Sequence, residues 1–170
     1  MDNLKKLFDE SRRYNLFEKL KSNEATKGLY LFIQEYIKKK YNEYCDWDYV
    51  SNKNGGFYGL WLHFTSCKSN IEQELYLQIE NNCEQDPKLC IRIKNAIVDL
   101  KSISVKIINE AENFKLKATK PKRLRRGETS AIALIECAFI EKTNHELDIN
   151  NLIEKIESSR KLIDKIAQII

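Results

Sequence analysis

Leu75-Tyr76-Leu77-Gln78-Ile79-Glu80 alternates apolar with more polar side chains, and Leu89-Cys90-Ile91-Arg92-Ile93-Lys94 repeats the pattern. A period of two puts the leucines and isoleucines on one face of a sheet and leaves Gln78, Glu80, Arg92 and Lys94 on the other. The connection between the runs is short and holds Asp86-Pro87. That favours antiparallel pairing, because parallel neighbours need a crossover of about a dozen residues or more. Upstream, Asp46-Trp47-Asp48-Tyr49-Val50 alternates, Asn52-Lys53-Asn54-Gly55-Gly56 supplies turn residues, and Phe57 to Thr65 continues as a strand.

Helices flank these strands. Leu29, Phe32, Ile33, Tyr36, Ile37, Tyr41 and Tyr44 recur at helical spacing, with Lys38, Lys39 and Glu43 largely opposite. Ser22-Asn23-Glu24 separates this helix from an earlier one over Asn3–Leu20. The Lys38-Lys39-Lys40 run then lies on a solvent face. Downstream, Ile97, Leu100, Ile107, Ala111 and Phe114 mark a helix from Asn95 to Phe114, and the β-branched stretch Thr129–Ile140 reads as another strand. Ile149, Leu152, Ile156, Ser159, Ile163, Ile166 and Ile170 follow a 3-4 spacing, with Asn151/Glu154 as a capping-box pair. Such a seam serves either a helix laid on the sheet or a coiled coil, the latter allowing a homodimer through the C-terminal helix. The expected fold is α+β: an antiparallel, meander-like sheet of about four to five strands packed against N-terminal, middle and C-terminal helices. A chain of 170 residues suits one domain, with residues 1–22 as a semi-independent helix.

No apolar run approaches the roughly 20 residues of a membrane span, and no signal-peptide core opens the chain, so a cytoplasmic protein without membrane association is expected. The five cysteines (Cys45, Cys67, Cys83, Cys90, Cys137) have no CxxC spacing, which argues against a disulfide framework or zinc ribbon. Cys90 and Cys137 read as small buried hydrophobes. A Cys67–His63 nucleophilic pair has no supporting motif.

The net charge is +4, yet Lys115, Lys117, Lys120, Lys122, Arg123, Arg125 and Arg126 fall in one stretch without an acid, so the remainder sums to −3. Pooled cations attract phosphates through Coulomb energy and counterion release; a solvated basic loop has the same composition. Nothing marks catalysis. Walker-A, Rossmann, HExxH and GxSxG patterns are missing from the sequence. Metal-dependent nucleases of the common design need a carboxylate and, on a neighbouring strand, Asp/Glu-x-Lys. Here Glu-x-Lys does not occur, Asp86-Pro87-Lys88 falls in a turn, and Asp99-Leu100-Lys101 falls on the expected helix, where i and i+2 diverge. The same-face acids Asp46/Asp48 and Glu72/Glu74 read as solvated edge charges. No cofactor is implied.

The order of elements nevertheless resembles the C-terminal, non-catalytic half of bacterial and phage PD-(D/E)XK nuclease-superfamily proteins. A long aromatic helix leads into Asn54-Gly55-Gly56-Phe57-Tyr58-Gly59-Leu60-Trp61, then the two alternating runs, an Arg125-Arg126-Gly127 entry to a strand, and an Asp148-led closing helix. The likeness spans roughly residues 25–168 and leaves no position onto which the family's catalytic residues carry. It implies a nuclease-associated accessory piece of a defence or counter-defence system. Two functions follow as expectations. One is a nucleic-acid-binding module using Lys115–Arg126 on phosphates, with Trp61 and Tyr58 stacking on bases. The other is an inhibitor or partner within a larger protein complex.

Overall fold

The two alternating runs pair as neighbouring antiparallel strands, with Leu75 opposite Ile93, Leu77 opposite Ile91 and Ile79 opposite Leu89. In the computed structural model the described residues are 23–43, 45–51, 57–63, 73–81, 88–137 and 149–169. They form helix α1 (Asn23–Tyr41) and strands β1 (Cys45–Val50), β2 (Phe57–Leu62), β3 (Glu74–Asn81) and β4 (Lys88–Lys94). Helix α2 (Leu100–Ala111), a 3-10 turn (Glu112–Phe114), strands β5 (Ala118–Thr119) and β6 (Thr129–Ile135), and helix α3 (Ile149–Ala167) complete the order. The expected helix over Asn3–Leu20 lies outside the described residues.

The class is α+β. The sheet has six strands, ordered β1-β2-β3-β4-β6-β5, all antiparallel to their neighbours. This exceeds the expected count because β5, two residues long, is too short for alternation to show in the sequence. The meander holds only through β4. Strand β5 runs parallel to β4, which a tight turn cannot achieve; α2 carries the chain past the β6 position to the edge, and β6 returns between them. Within β6 the register shifts opposite Ile91/Arg92, leaving Ile132 without a partner residue across the ladder. The Ser104 hydroxyl donates to the Ile132 carbonyl at 2.7 Å, tying α2 to that bulge.

Helix α2 starts later than Asn95. Asn95 takes the left-handed conformation (φ 49°), and Asp99 caps the helix by accepting a hydrogen bond from the Ser102 amide at 2.9 Å. Ile97 therefore stands before the helix and is 70% exposed, outside the core stripe expected for it.

Helices and sheet share one apolar cluster. Leu29, Tyr30, Ile33 and Ile37 of α1, Leu100, Ile103 and Ile107 of α2, and the α3 seam meet Leu60, Leu77, Ile79, Leu89 and Ile91. The buried Tyr30 directs its hydroxyl at the Tyr58 carbonyl (2.9 Å), with the Ile79 carbonyl at 3.2 Å. Ile149, Leu152, Ile156, Ser159, Ile163 and Ile166 are all buried within this chain, against β3 and α2. The 3-4 spacing thus belongs to a helix laid on the sheet. Asn151 lies inside α3 rather than at its cap, so the Asn151/Glu154 capping box does not form.

An ionic clasp joins α1 to α3. Tyr36 and Lys40 both donate to Glu157, and Arg160 donates to Glu43 at 2.9 Å while its guanidinium lies 4.0 Å from the Tyr41 ring centre. Lys38, Lys39 and Lys40 are exposed. Burial by itself would raise the Glu157 pKa, but hydrogen bonds from Lys40 and Tyr36 outweigh it and hold the carboxyl below its ordinary value. A depressed carboxyl stabilises the fold above its unfolded pKa, about 4.3, and that contribution is lost as pH falls through the folded value. Glu157→Gln is therefore expected to lower stability at neutral pH and to flatten the acid limb, the two proteins converging in acid. Denaturation midpoints measured across pH check this; parallel curves would count against the clasp.

Candidate functional site

After the 3-10 turn, Lys115 adopts the left-handed conformation (φ 57°) and turns the chain towards the sheet edge. Its carbonyl accepts a hydrogen bond from the Lys155 ammonium at 3.1 Å. From there to Arg126 the chain runs back beside α2. At one end the Leu116 amide donates to the Ala111 carbonyl at 3.0 Å, and the Asn95 amide donates to the Glu128 carbonyl at 2.8 Å beyond the other. Arg126 itself donates to the Val98 carbonyl, 3.0 Å away, just ahead of the α2 cap. Helix α2 has 12 residues, so the strap covers about 18 Å at 1.5 Å per residue.

Side-chain direction sorts this strap by polarity. Leu116 and Pro121 are buried, and Ala118 and Leu124 pack half-buried against the core. All seven expected cations, Lys115, Lys117, Lys120, Lys122, Arg123, Arg125 and Arg126, are exposed. Apolar anchors at intervals of two and three hold the backbone down and leave every charge in water. Lys117 pairs with Glu136 at 2.7 Å, both well exposed, an arrangement that gains little and yields readily to another anion. Among the described residues, none of the other six has a carboxylate within ion-pair distance. A two-residue strand followed by Lys120-Pro121 also offers another sheet edge little to pair with.

Trp61 and Tyr58 do not join these cations. Four strand spacings separate β2 from β5, about 19 Å, and both rings have internal partners. Tyr58 lies on the helix side of the sheet, 5.1 Å from the Tyr49 ring. The Trp61 indole lies over Gly59 and donates to the Gln78 side-chain oxygen at 2.9 Å. A Cβ on Gly59 would come within 2.8 Å of the Trp61 ring, so Gly59→Ala is expected to push the indole aside, break the Gln78 bond and cost about 1–2 kcal/mol. A changed tryptophan emission with a lowered denaturation midpoint is the expected reading; unchanged emission would show that the ring does not depend on this glycine.

Trp61 belongs to a polar network on the sheet face away from the helices. Gln78 donates to Glu80 at 2.7 Å, and Arg92 donates to Tyr76 at 3.1 Å and to Thr129 at 3.0 Å, with Glu80 at 3.6 Å. His63 stacks on Tyr76 with ring centres 4.9 Å apart and meets the Glu74 carboxylate at 2.9 Å. The strand alternation places Gln78, Glu80 and Arg92 on this face as expected; their mutual bonding needed the register. Gln78 is 3% exposed despite its polarity, and its bonds to Trp61 and Glu80 meet the cost of that burial. Burial, with the nearby Glu80 charge, pushes the Cys90 thiol up to about 12, which keeps it protonated and unreactive at neutral pH. Cys90 and Cys137 are both buried and lie outside any disulfide, as expected. Cys67 lies outside the described residues.

Among the described residues no group of three or more His, Cys, Asp or Glu side chains gathers in a metal-holding arrangement. Asp46 and Asp48 are exposed on edge strand β1, and Asp99 caps α2. No helix among the described residues is long and apolar enough to cross a membrane. Compared with family models, curated proteins and solved structures, the chain matches none.

Proposed function

We propose that the protein is a non-catalytic nucleic-acid-binding module that holds backbone phosphates along the Lys115–Arg126 strap. The observation that carries this reading is the sorting just described: apolar anchors face in, and seven cations face water along about 18 Å. At about 3.4 Å per phosphate along one strand, that length meets roughly five phosphates. The nuclease-accessory role implied by the family resemblance fits the same surface, since an accessory piece contributes grip rather than bond cleavage. Trp61 and Tyr58 have no part in the reading, because internal contacts occupy them.

Binding to mixed-sequence nucleic acid, followed by anisotropy across a salt series, tests it. Affinity is expected to fall linearly on a log–log plot with a slope of about −4 to −5, from some five phosphates at 0.9 each. Salt-independent binding, or no binding at low salt, would overturn the reading.

A further inference from the structure

One cation at the strap does not come from the strap. The Lys155 ammonium of α3 donates to the Lys115 carbonyl at 3.1 Å, across forty residues of chain. A charge that the basic stretch itself does not contain thus stands at its first residue. Building on the phosphate-binding reading above, we infer that Lys155 is a phosphate-binding residue. Of the roughly five phosphates that the strap spans, it holds the one at the Lys115 end.

A lysine ammonium carries three N–H donors. The carbonyl takes one, which leaves two for phosphate oxygens. Lys155 is half-buried, and among the described residues no carboxylate lies within ion-pair distance of it. An ammonium already held in place has less side-chain freedom to lose on binding. Arg126 is held in the same way at the far end, through the Val98 carbonyl at 3.0 Å. A fixed cation therefore stands at each end of the strap, with the remaining exposed cations between. The field at the Lys115 end also calls for this charge. Lys115 follows α2 and its 3-10 extension, where helix carbonyls present the negative end of the dipole. Glu112 in that turn and Glu154 next to Lys155 in sequence are exposed acids. A phosphate arriving there without Lys155 meets carbonyl oxygen and carboxylates; with it, an ammonium lies at the carbonyl.

The test follows mixed-sequence nucleic acid by anisotropy across a salt series, using the intact chain and substitutions at Lys155 and Lys161. Lys155→Met keeps the aliphatic stem and removes the charge. Its slope is expected to fall in magnitude by about 0.9, so that affinity drops about 150-fold between 50 and 200 mM salt where the parent loses about 500-fold. Lys155→Gln, which offers the carbonyl an N–H donor without a charge, should show the same fall, and Lys155→Arg should keep the parental slope. Lys161 is an exposed lysine on the same helix, about 120° round it from Lys155 at 3.6 residues per turn. Lys161→Met removes the same net charge and should leave the slope unchanged. Parental slopes in Lys155→Met and Lys155→Gln, with or without lowered denaturation midpoints, make Lys155 a structural cap of the turn; they overturn the assignment and leave the strap reading standing. An equal fall in Lys161→Met overturns it too, as a general charge effect. Absence of low-salt binding by the parent overturns the strap reading, and this assignment with it.

Discussion

Replacing Arg123, Arg125 and Arg126 together by alanine is expected to cut the salt sensitivity of nucleic-acid binding by more than half. With about five phosphates engaged, a slope near −4.5 costs the parent protein about five-hundredfold in affinity between 50 and 200 mM salt. Three lost contacts bring the slope to about −1.8 and the loss to about tenfold over the same interval. The three guanidiniums are exposed, and without carboxylate partners among the described residues they have no ion pair to surrender before meeting a phosphate. Arg126 also donates to the Val98 carbonyl, so a change there alters the fold locally as well as the charge. The Arg123→Ala/Arg125→Ala pair avoids that complication and should deliver about two-thirds of the effect, at 0.9 per contact. A slope unchanged in both variants would place the bound phosphates elsewhere on the molecule.

The second large effect lies in the helical layer. Arg160→Met is expected to destabilise the protein by about 3–5 kcal/mol. The side chains of Arg160 and Glu43 are 16% and 5% exposed and meet at 2.9 Å, so removing the arginine leaves a carboxylate buried without its principal counter-charge. The guanidinium also lies on the Tyr41 ring, a contact that methionine replaces only in part. Glu43→Leu/Arg160→Met together should recover most of the loss, because a buried pair exchanged for apolar groups of similar volume is often neutral or better. Urea denaturation of parent, single and double variants measures the coupling directly. A single-variant cost of about 1 kcal/mol or less would make the pair equivalent to a surface ion pair.

Much of the fold is legible in the sequence because its signals are local. Leu75–Glu80 and Leu89–Lys94 alternate with a period that only a strand satisfies, and the short link between them leaves only an antiparallel pair. The α3 seam was legible in the same way, and the single serine in it, Ser159, is indeed buried. Boundaries were less legible. Asp99 stops the middle helix from reaching back to Asn95, and that depends on one side chain folding back onto the Ser102 amide. Strand β5 was illegible because two residues define no period.

For the candidate site, the sequence by itself determined the chemistry: seven cations within twelve residues, Lys115 to Arg126, and no acid among them. Charge is a property of residue type, so composition suffices to place it along the chain. Where those charges point was decided by the tertiary structure. Leu116 and Leu124 join the apolar cluster that the helices and sheet share, Pro121 is buried too, and this burial turns the lysines and arginines outward. The same assembly separates Trp61 and Tyr58 from β5 and its cations by four strand spacings. Proximity across a sheet is set by strand order, which depends on the whole chain's packing and is not written in any one stretch of residues.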